Sequence, residues 1–443
     1  MNIQLSDHFN YKKLIRFVLP SIGMMIFTSI YGVVDGLFVS NYVGKTAFAA
    51  INLIIPFTMV LGAIGFMLGT GGNALVAKNL GEGKRQLANE TFSLLVIVAV
   101  VCGAIVTVAG FLFMEPVAKL LGADETMLRE CVTYGRILVL AIPAFMLQIM
   151  FQSFLITAEK PGMGLFVTLI AGITNMILDA LLIAVIPLGV VGAALATGIS
   201  QCLGGLIPLI YFARKNDSLL QLTKTRWMKD AIWKTCSNGL SEFLSNISMS
   251  LISMLYNIQL LKTAGENGVA AYGVIMYVQF IFISIFIGYN IGTAPIFGYN
   301  YGAQNHKELK NVFKKSICLT GIAGTILMSS AFLFAPILAN IFVGYDAKLF
   351  QLTTRGFRFY AISFFLCGFN IFGSSFFTSL SNGPVSAIIS FLRTVVFQVA
   401  AVLILPIFWG IDGIWASISV AEVLALIVTL YFTVRLKDRY HYI

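Results

Sequence analysis

Histidine is nearly absent from this chain: the three are His8, His306 and His441, in a tail, a loop and a tail. No serine or cysteine nucleophile inside an apolar stretch therefore has an evident base, so a membrane-embedded hydrolase is not expected. The six cysteines stand singly, without paired spacing, so neither a disulfide framework nor a zinc site is expected. Charge is scarce as well, at 11% of residues against 58% hydrophobic ones, with a mean hydropathy of +0.89. A chain of this composition cannot keep a surface wetted in water. It is an integral membrane protein in solvent terms before any motif is considered.

Apolar runs long enough to cross about 30 Å of hydrocarbon number twelve. They span roughly 14–40, 46–77, 91–113, 132–157, 165–186 and 190–213, then 231–261, 268–299, 312–335, 352–378, 385–408 and 411–434. The runs are continuous, without the alternation of a membrane strand, so the spans are helices. The basic cluster Lys12, Lys13 and Arg16 precedes a run too long for a cleaved leader and is read as the start of span 1.

The chain is internally duplicated. Gly65-Phe66-Met67-Leu68-Gly69-Thr70 returns as Gly288-Tyr289-Asn290-Ile291-Gly292-Thr293, 223 residues later in a chain of 443. Asn79-Leu80-Gly81 returns as Asn300-Tyr301-Gly302, Pro161 as Pro384, and the turn Gly189 to Gly192 as Gly410 to Gly413. Repetition at this scale sets the architecture. Six spans per half is even, so both halves start on the same side of the bilayer and are related by an axis along the membrane normal. The expected domains are an N-terminal six-helix lobe (1–213), a linker (214–230) and a C-terminal six-helix lobe (231–443).

Lysine and arginine set sidedness. Assigned to their nearest span ends, 21 lie on the side of both termini and 8 on the other, so both termini are expected in the cytoplasm. The linker alone carries Arg214, Lys215, Lys224, Arg226 and Lys229. The net charge of +10 is thus a topological signal spread over separate loops, and no nucleic-acid partner is indicated. Gly81-Glu82-Gly83-Lys84 lacks the earlier glycine of a phosphate loop, and Arg85 stands where it needs Ser or Thr. Without an ATP site, energy for any transport has to come from an ion gradient.

Five ionisable groups lie in apolar surroundings: Asp35, Asp179, Glu242, Arg393 and Glu422. Such groups are costly and mark function by default. Asp35 lies about 9 Å and Asp179 about 10 Å below the outer surface by helical rise, and Thr197 is about 10 Å inward from the start of span 6. Asn175 is one turn from Asp179 on the same face. Two carboxylates, an amide and a hydroxyl at one level suit a monovalent cation through oxygen ligands, or a shared proton, because both acids cannot stay ionised together uncompensated. The bland alternative is that Asp35 and Asp179 hydrogen-bond backbone in kinked helices.

The second half lacks this pair. By the repeat offset Asp35 corresponds to Tyr256 and Asp179 to Val402. Glu242, roughly 16 Å into span 7 and near the midplane, is placed either to attract a cationic solute or to act as a second protonation site; an internal hydrogen bond is its structural alternative. Arg393 and Glu422, on spans 11 and 12, are read as a buried ion pair with a structural role.

Leu19-Pro20-Ser21, Asp35 within Val33-Val34-Asp35-Gly36-Leu37-Phe38-Val39, the Gly81 and Gly302 loops, Asn175 with Asp179, and Gly189 through Thr197 together resemble the multidrug and toxic compound extrusion (MATE) transporters. Ser241-Glu242-Phe243-Leu244 and Gly265 through Gly273 resemble the bacterial DinF- and MepA-type branches. The resemblance covers essentially the whole chain. It implies two pseudo-symmetric six-helix bundles with a central cleft open alternately to either side, in the cytoplasmic (inner) membrane of a bacterium.

It also implies a cation site, Na⁺ included, at Asp35, Asn175, Asp179 and Thr197, and a span 1 able to bend at Pro20. Residues 352–378 contain no acid, so the sodium site some relatives build with the span 7 glutamate is not expected here. The function implied is an H⁺- or Na⁺-coupled antiporter exporting amphipathic, cationic compounds, acting as a monomer without cofactor. A flippase for lipid-linked sugars, from the related superfamily, is the alternative, disfavoured by the mainly acidic interior.

Overall fold

The computed structural model describes residues 3–344 and 346–443. Among them there is no strand. The helices, in order, are α1 Tyr11–Phe38, α2 Lys45–Gly81, α3 Arg85–Leu120, α4 Glu125–Leu140, α5 Ile142–Thr157, α6 Pro161–Asp179 and α7 Val190–Ala213. After the linker come α8 Lys229–Gly302, α9 His306–Leu333, α10 Ala335–Val343, α11 Ala347–Ser379, α12 Gly383–Phe391, α13 Gln398–Arg435 and the short α14 Lys437–Tyr440.

Local chemistry explains their starts. Asn10, Asp124, Asn305 and Asp346 each turn a side-chain oxygen back onto the free N–H groups of the first turn. Prolines occupy the first turns of α5, α6, α10 and α12, where no N–H is needed. Among the described residues, nine helices are long and apolar enough to cross a membrane, and ten when α4 and α5, bent by 56° at Ala141, count as one span. Two of the nine are broken internally by glycines of positive φ, α8 at Gly265 and the α12–α13 run at Gly410. Counting each broken run as two crossings gives the twelve expected from hydropathy.

The backbone carries the duplication more sharply than the sequence does. Residues with left-handed φ recur one repeat apart, as Gly44 and Gly265, Gly83 and Gln304, Glu159 and Ser381, and Gly189 and Gly410. Gly189 and Gly410 have nearly the same torsions, φ 60° with ψ −135° and φ 54° with ψ −131°. Only glycine adopts these values without strain, so the same turn begins span 6 and span 12.

The two halves meet at the end of the molecule that carries both termini. Added methyl groups on Gly81 and Gly302 would overlap the carbonyls of Tyr299 and Lys78, and one on Gly239 would overlap that of Met67. The α2 and α8 backbones thus cross in contact there. The N-terminal segment adds a tie: Leu5 N–H donates to Glu159 in the first half (2.6 Å), and Phe9 N–H to Glu308 in the second (2.9 Å). Leu5 and Phe9 are fully buried, in a core shared with Phe297, Phe313, Phe376 and Tyr442.

Candidate coupling site

The acids of the first half sit where helices depart from regular geometry. α1 passes into a π-helical turn at Val39–Val43, four residues after Asp35, and α6 does so at Ala180–Val185, immediately after Asp179. The two π turns touch. Such turns insert a residue into the helical repeat and re-aim the side chains around them. Gly172 brings α6 against α1, since a methyl there would overlap Phe27 and Tyr31. α7 is held to the second π turn by Gly192, which lies on the Leu182 carbonyl.

This packing brings Asp35 toward Asp179, with Asn175 one turn before it on α6, and sets α7, which carries Thr197, against the second π turn. The carboxylates of Asp35 and Asp179 come within hydrogen-bonding range of each other. Asp179 is fully buried and Asn175 only 1% exposed. Asp35 Oδ1, both Asp179 oxygens, Asn175 Oδ1 and Thr197 Oγ1 are buried without a hydrogen-bond partner. An ionised carboxylate only accepts, so two facing each other cannot satisfy one another unless one is protonated or a cation lies between them. Backbone capping, the bland alternative, does not describe Asp179, whose two oxygens receive no N–H. The oxygen-only donor set fits a hard monovalent cation as well as it fits a proton.

One residue escaped the sequence reading. Tyr134 on α4, 2% exposed, lies within electrostatic range of both acids. Its only signal was a polar tip at the start of an apolar span. Pro20 lies in an unbroken stretch of α1, which stays helical from Tyr11 to Phe38.

In the second half, the equivalent level is closed by aromatic rings. Tyr256, at the Asp35 position, donates to or accepts from Ser417 at 2.7 Å and stacks on Tyr272 with centroids 5.1 Å apart. Val402, at the Asp179 position, is fully buried. Arg393 and Glu422 form the expected ion pair, Arg393 Nη2 to Glu422 Oε1 at 2.7 Å, with Glu422 buried and Arg393 partly so. Glu242 lies within electrostatic range of the same guanidinium.

The repeat visible in the backbone is also a repeat of a known family. The MatE family model matches residues 20–181 and again 243–404. This chain belongs to the MatE family. The multidrug export protein MepA of Staphylococcus haemolyticus (strain JCSC1435) is 26% identical to it over 434 residues, 97% of this chain and 94% of the relative. The protein of the same name from Staphylococcus aureus (strain NCTC 8325 / PS 47) is 25% identical over 433 residues, with the same coverage. Among solved structures, a multidrug resistance MATE family transporter of the MOP superfamily in an outward-facing conformation matches with a TM-score of 0.92 at 24% identity, over 99% of this chain and 98% of that one. A MATE in complex with MaL6 also gives a TM-score of 0.92, at 23% identity and 97% coverage of both chains. These likenesses show the fold: the MatE protein described here is a multi-pass, all-helical membrane protein.

Proposed function

We propose that this MatE protein exports amphipathic, cationic organic compounds by antiport against H⁺ or Na⁺. Both termini lie in the cytoplasm, the membrane is the bacterial inner membrane, and the lobes 1–213 and 231–443 rock about the linker 214–230 within a single monomer. The observation that carries the reading is the Asp35–Asp179 pair, whose buried oxygens have no protein partner. Relatives described as multidrug export proteins support the substrate class.

The chain's own residues supply the coupling. With the site empty, two negative charges face each other in low dielectric and repel. A cation arriving from outside, or a proton, joins Asp35, Asn175, Asp179 and Thr197, and so pulls α1 toward α6 and α7. Only a conformation-dependent affinity couples this to export, because a cation bound equally by both states shifts neither. The close α2–α8 crossing at the termini end supports reading the present conformation as open on the outer side, the state in which substrate leaves and the cation enters.

Purified protein in liposomes tests the reading. Efflux of a cationic dye is followed under ΔpH or ΔNa⁺ imposed separately, for the wild type and for Asp35→Asn, Asp179→Asn and Glu242→Gln. Gradient-driven transport lost in both aspartate variants supports the site; full transport in both refutes it. Loss confined to Glu242→Gln moves coupling to the second lobe.

A further inference from the structure

The two halves handle buried charge differently. One repeat before Asn370 and Glu422 stand Gln148 and Gln201. In the first half both glutamine Oε1 atoms are buried and unpartnered. In the second half the same two places are tied. Asn370 Nδ2 donates to Glu422 Oε2 at 2.7 Å and to its backbone oxygen at 2.9 Å, and Thr429 donates to Asn370 Oδ1 at 3.0 Å.

Arg393 then covers the carboxylate from its other face, with Nε 2.9 and 3.0 Å from the two oxygens and Nη2 2.7 Å from Oε1. Arg393 lies in the third π-helical turn of the chain, Leu392–Phe397. The other two π turns flank Asp35 and Asp179. Glu242 lies on α8, which packs against this π turn, and its backbone oxygen is engaged by Asn246.

We propose that Arg393 is a tethered cation, neutralising Glu422 permanently in the second lobe as a gradient ion neutralises the acid pair of the first, so that Glu242 is left to receive one organic cation. A guanidinium keeps its charge and grips a carboxylate through two parallel bonds, so solution ions cannot displace it as they displace one another. Glu242, Glu422 and Arg393 then sum to one negative charge. A buried net charge calls for a partner. With Glu422 occupied, a small hydrated ion finds one carboxylate where a chelate needs two. An organic cation brings an apolar body as well as its charge, and the site selects for it.

The Glu242 part rests on the export reading above; the Arg393 part does not, and is read without transport. The test uses full-length purified protein with the first lobe silenced by Asp35→Asn and Asp179→Asn, and measures saturable binding of radiolabelled sodium. We expect none while Arg393 or Arg393→Lys is present. Arg393→Gln creates one saturable site, and Glu422→Gln added to it removes that site. Separately, Glu242→Gln weakens binding of tetraphenylphosphonium by at least about tenfold, and sodium does not compete for it.

Sodium binding in the silenced background that Glu242→Gln or Glu422→Gln abolishes overturns the tether, whether or not Arg393→Gln folds. So does a folded Arg393→Gln that gains no site. Unchanged tetraphenylphosphonium affinity in Glu242→Gln, with the sodium results as expected, refutes the organic-cation assignment and leaves the tether standing.

Discussion

Asp35 and Asp179 approach within hydrogen-bonding range from two different helices, yet the Asp179 oxygens and Asp35 Oδ1 have no donor among the described residues. Each acid lies just before a π-helical turn, and the two turns touch. On the proposed reading the two carboxylates act as one site.

Substitutions of this pair should not add. Asp35→Asn alone removes the repulsion that makes the site take up a cation, and Asp179→Asn does the same. Each single variant loses about 5- to 150-fold in gradient-driven dye efflux, the range of a typical coupling energy. The double variant should lose no more than the worse single one. Multiplying losses in the liposome assay contradict a shared site.

The seam at the termini end depends on the absence of side chains where α2 and α8 cross. Gly81→Val and Gly302→Val drive a branched side chain into the Tyr299 and Lys78 carbonyls, overpacking that costs about 1–3 kcal/mol. Spin labels on Lys84 and Lys307, paired across the seam, should report longer distances in either variant. Unchanged distances mean the seam tolerates the bulk.

Arg393 and Glu422 should show the asymmetry of a buried pair. Removing one partner, as in Arg393→Met or Glu422→Met, strands the other charge and costs about 3–5 kcal/mol. The double replacement by methionines costs less than either single change, because no stranded charge remains. Thermal midpoints in detergent read the order; a double variant that falls as far as the sum of the singles contradicts it.

Glu159 ties the N-terminal segment to the first half through Leu5, just outside the membrane spans. Burial pushes its carboxyl above the ordinary glutamate range, only partly offset by the Leu5 N–H. A raised folded value means the group's stabilising contribution is full below the unfolded value and is lost as pH rises through the folded one. The midpoint difference between the wild type and Glu159→Gln should therefore shrink in the mildly acid range as pH increases. A difference that grows over that interval reverses the sign and refutes the assignment.

Hydropathy made the spans legible, and helical rise alone put Asp35 and Asp179 at one level. That worked because depth in a membrane is a one-dimensional quantity, readable from residue count. What faces what across helices is not. Tyr134 joins the acids only through the packing of α4 on α7, and the bend at Ala141 merges two short helices into one span. The π turns at 39–43, 180–185 and 392–397 leave no periodic mark in so uniformly apolar a sequence. Leu5 and Phe9 lie before the first span, in a tail too short to read as part of a core, yet they are fully buried. Arg393 and Glu422 were legible as a pair because each is an isolated charge in oil, and such a charge needs its opposite within reach.

The most direct measurement is the affinity of purified protein for a cationic dye as the coupling cation, H⁺ or Na⁺, is raised to saturation. Linkage predicts that wild-type affinity falls about 5- to 150-fold and that Asp35→Asn with Asp179→Asn flattens the response. An affinity that ignores both cations in the wild type, or that falls equally in the double variant, contradicts coupling at this site.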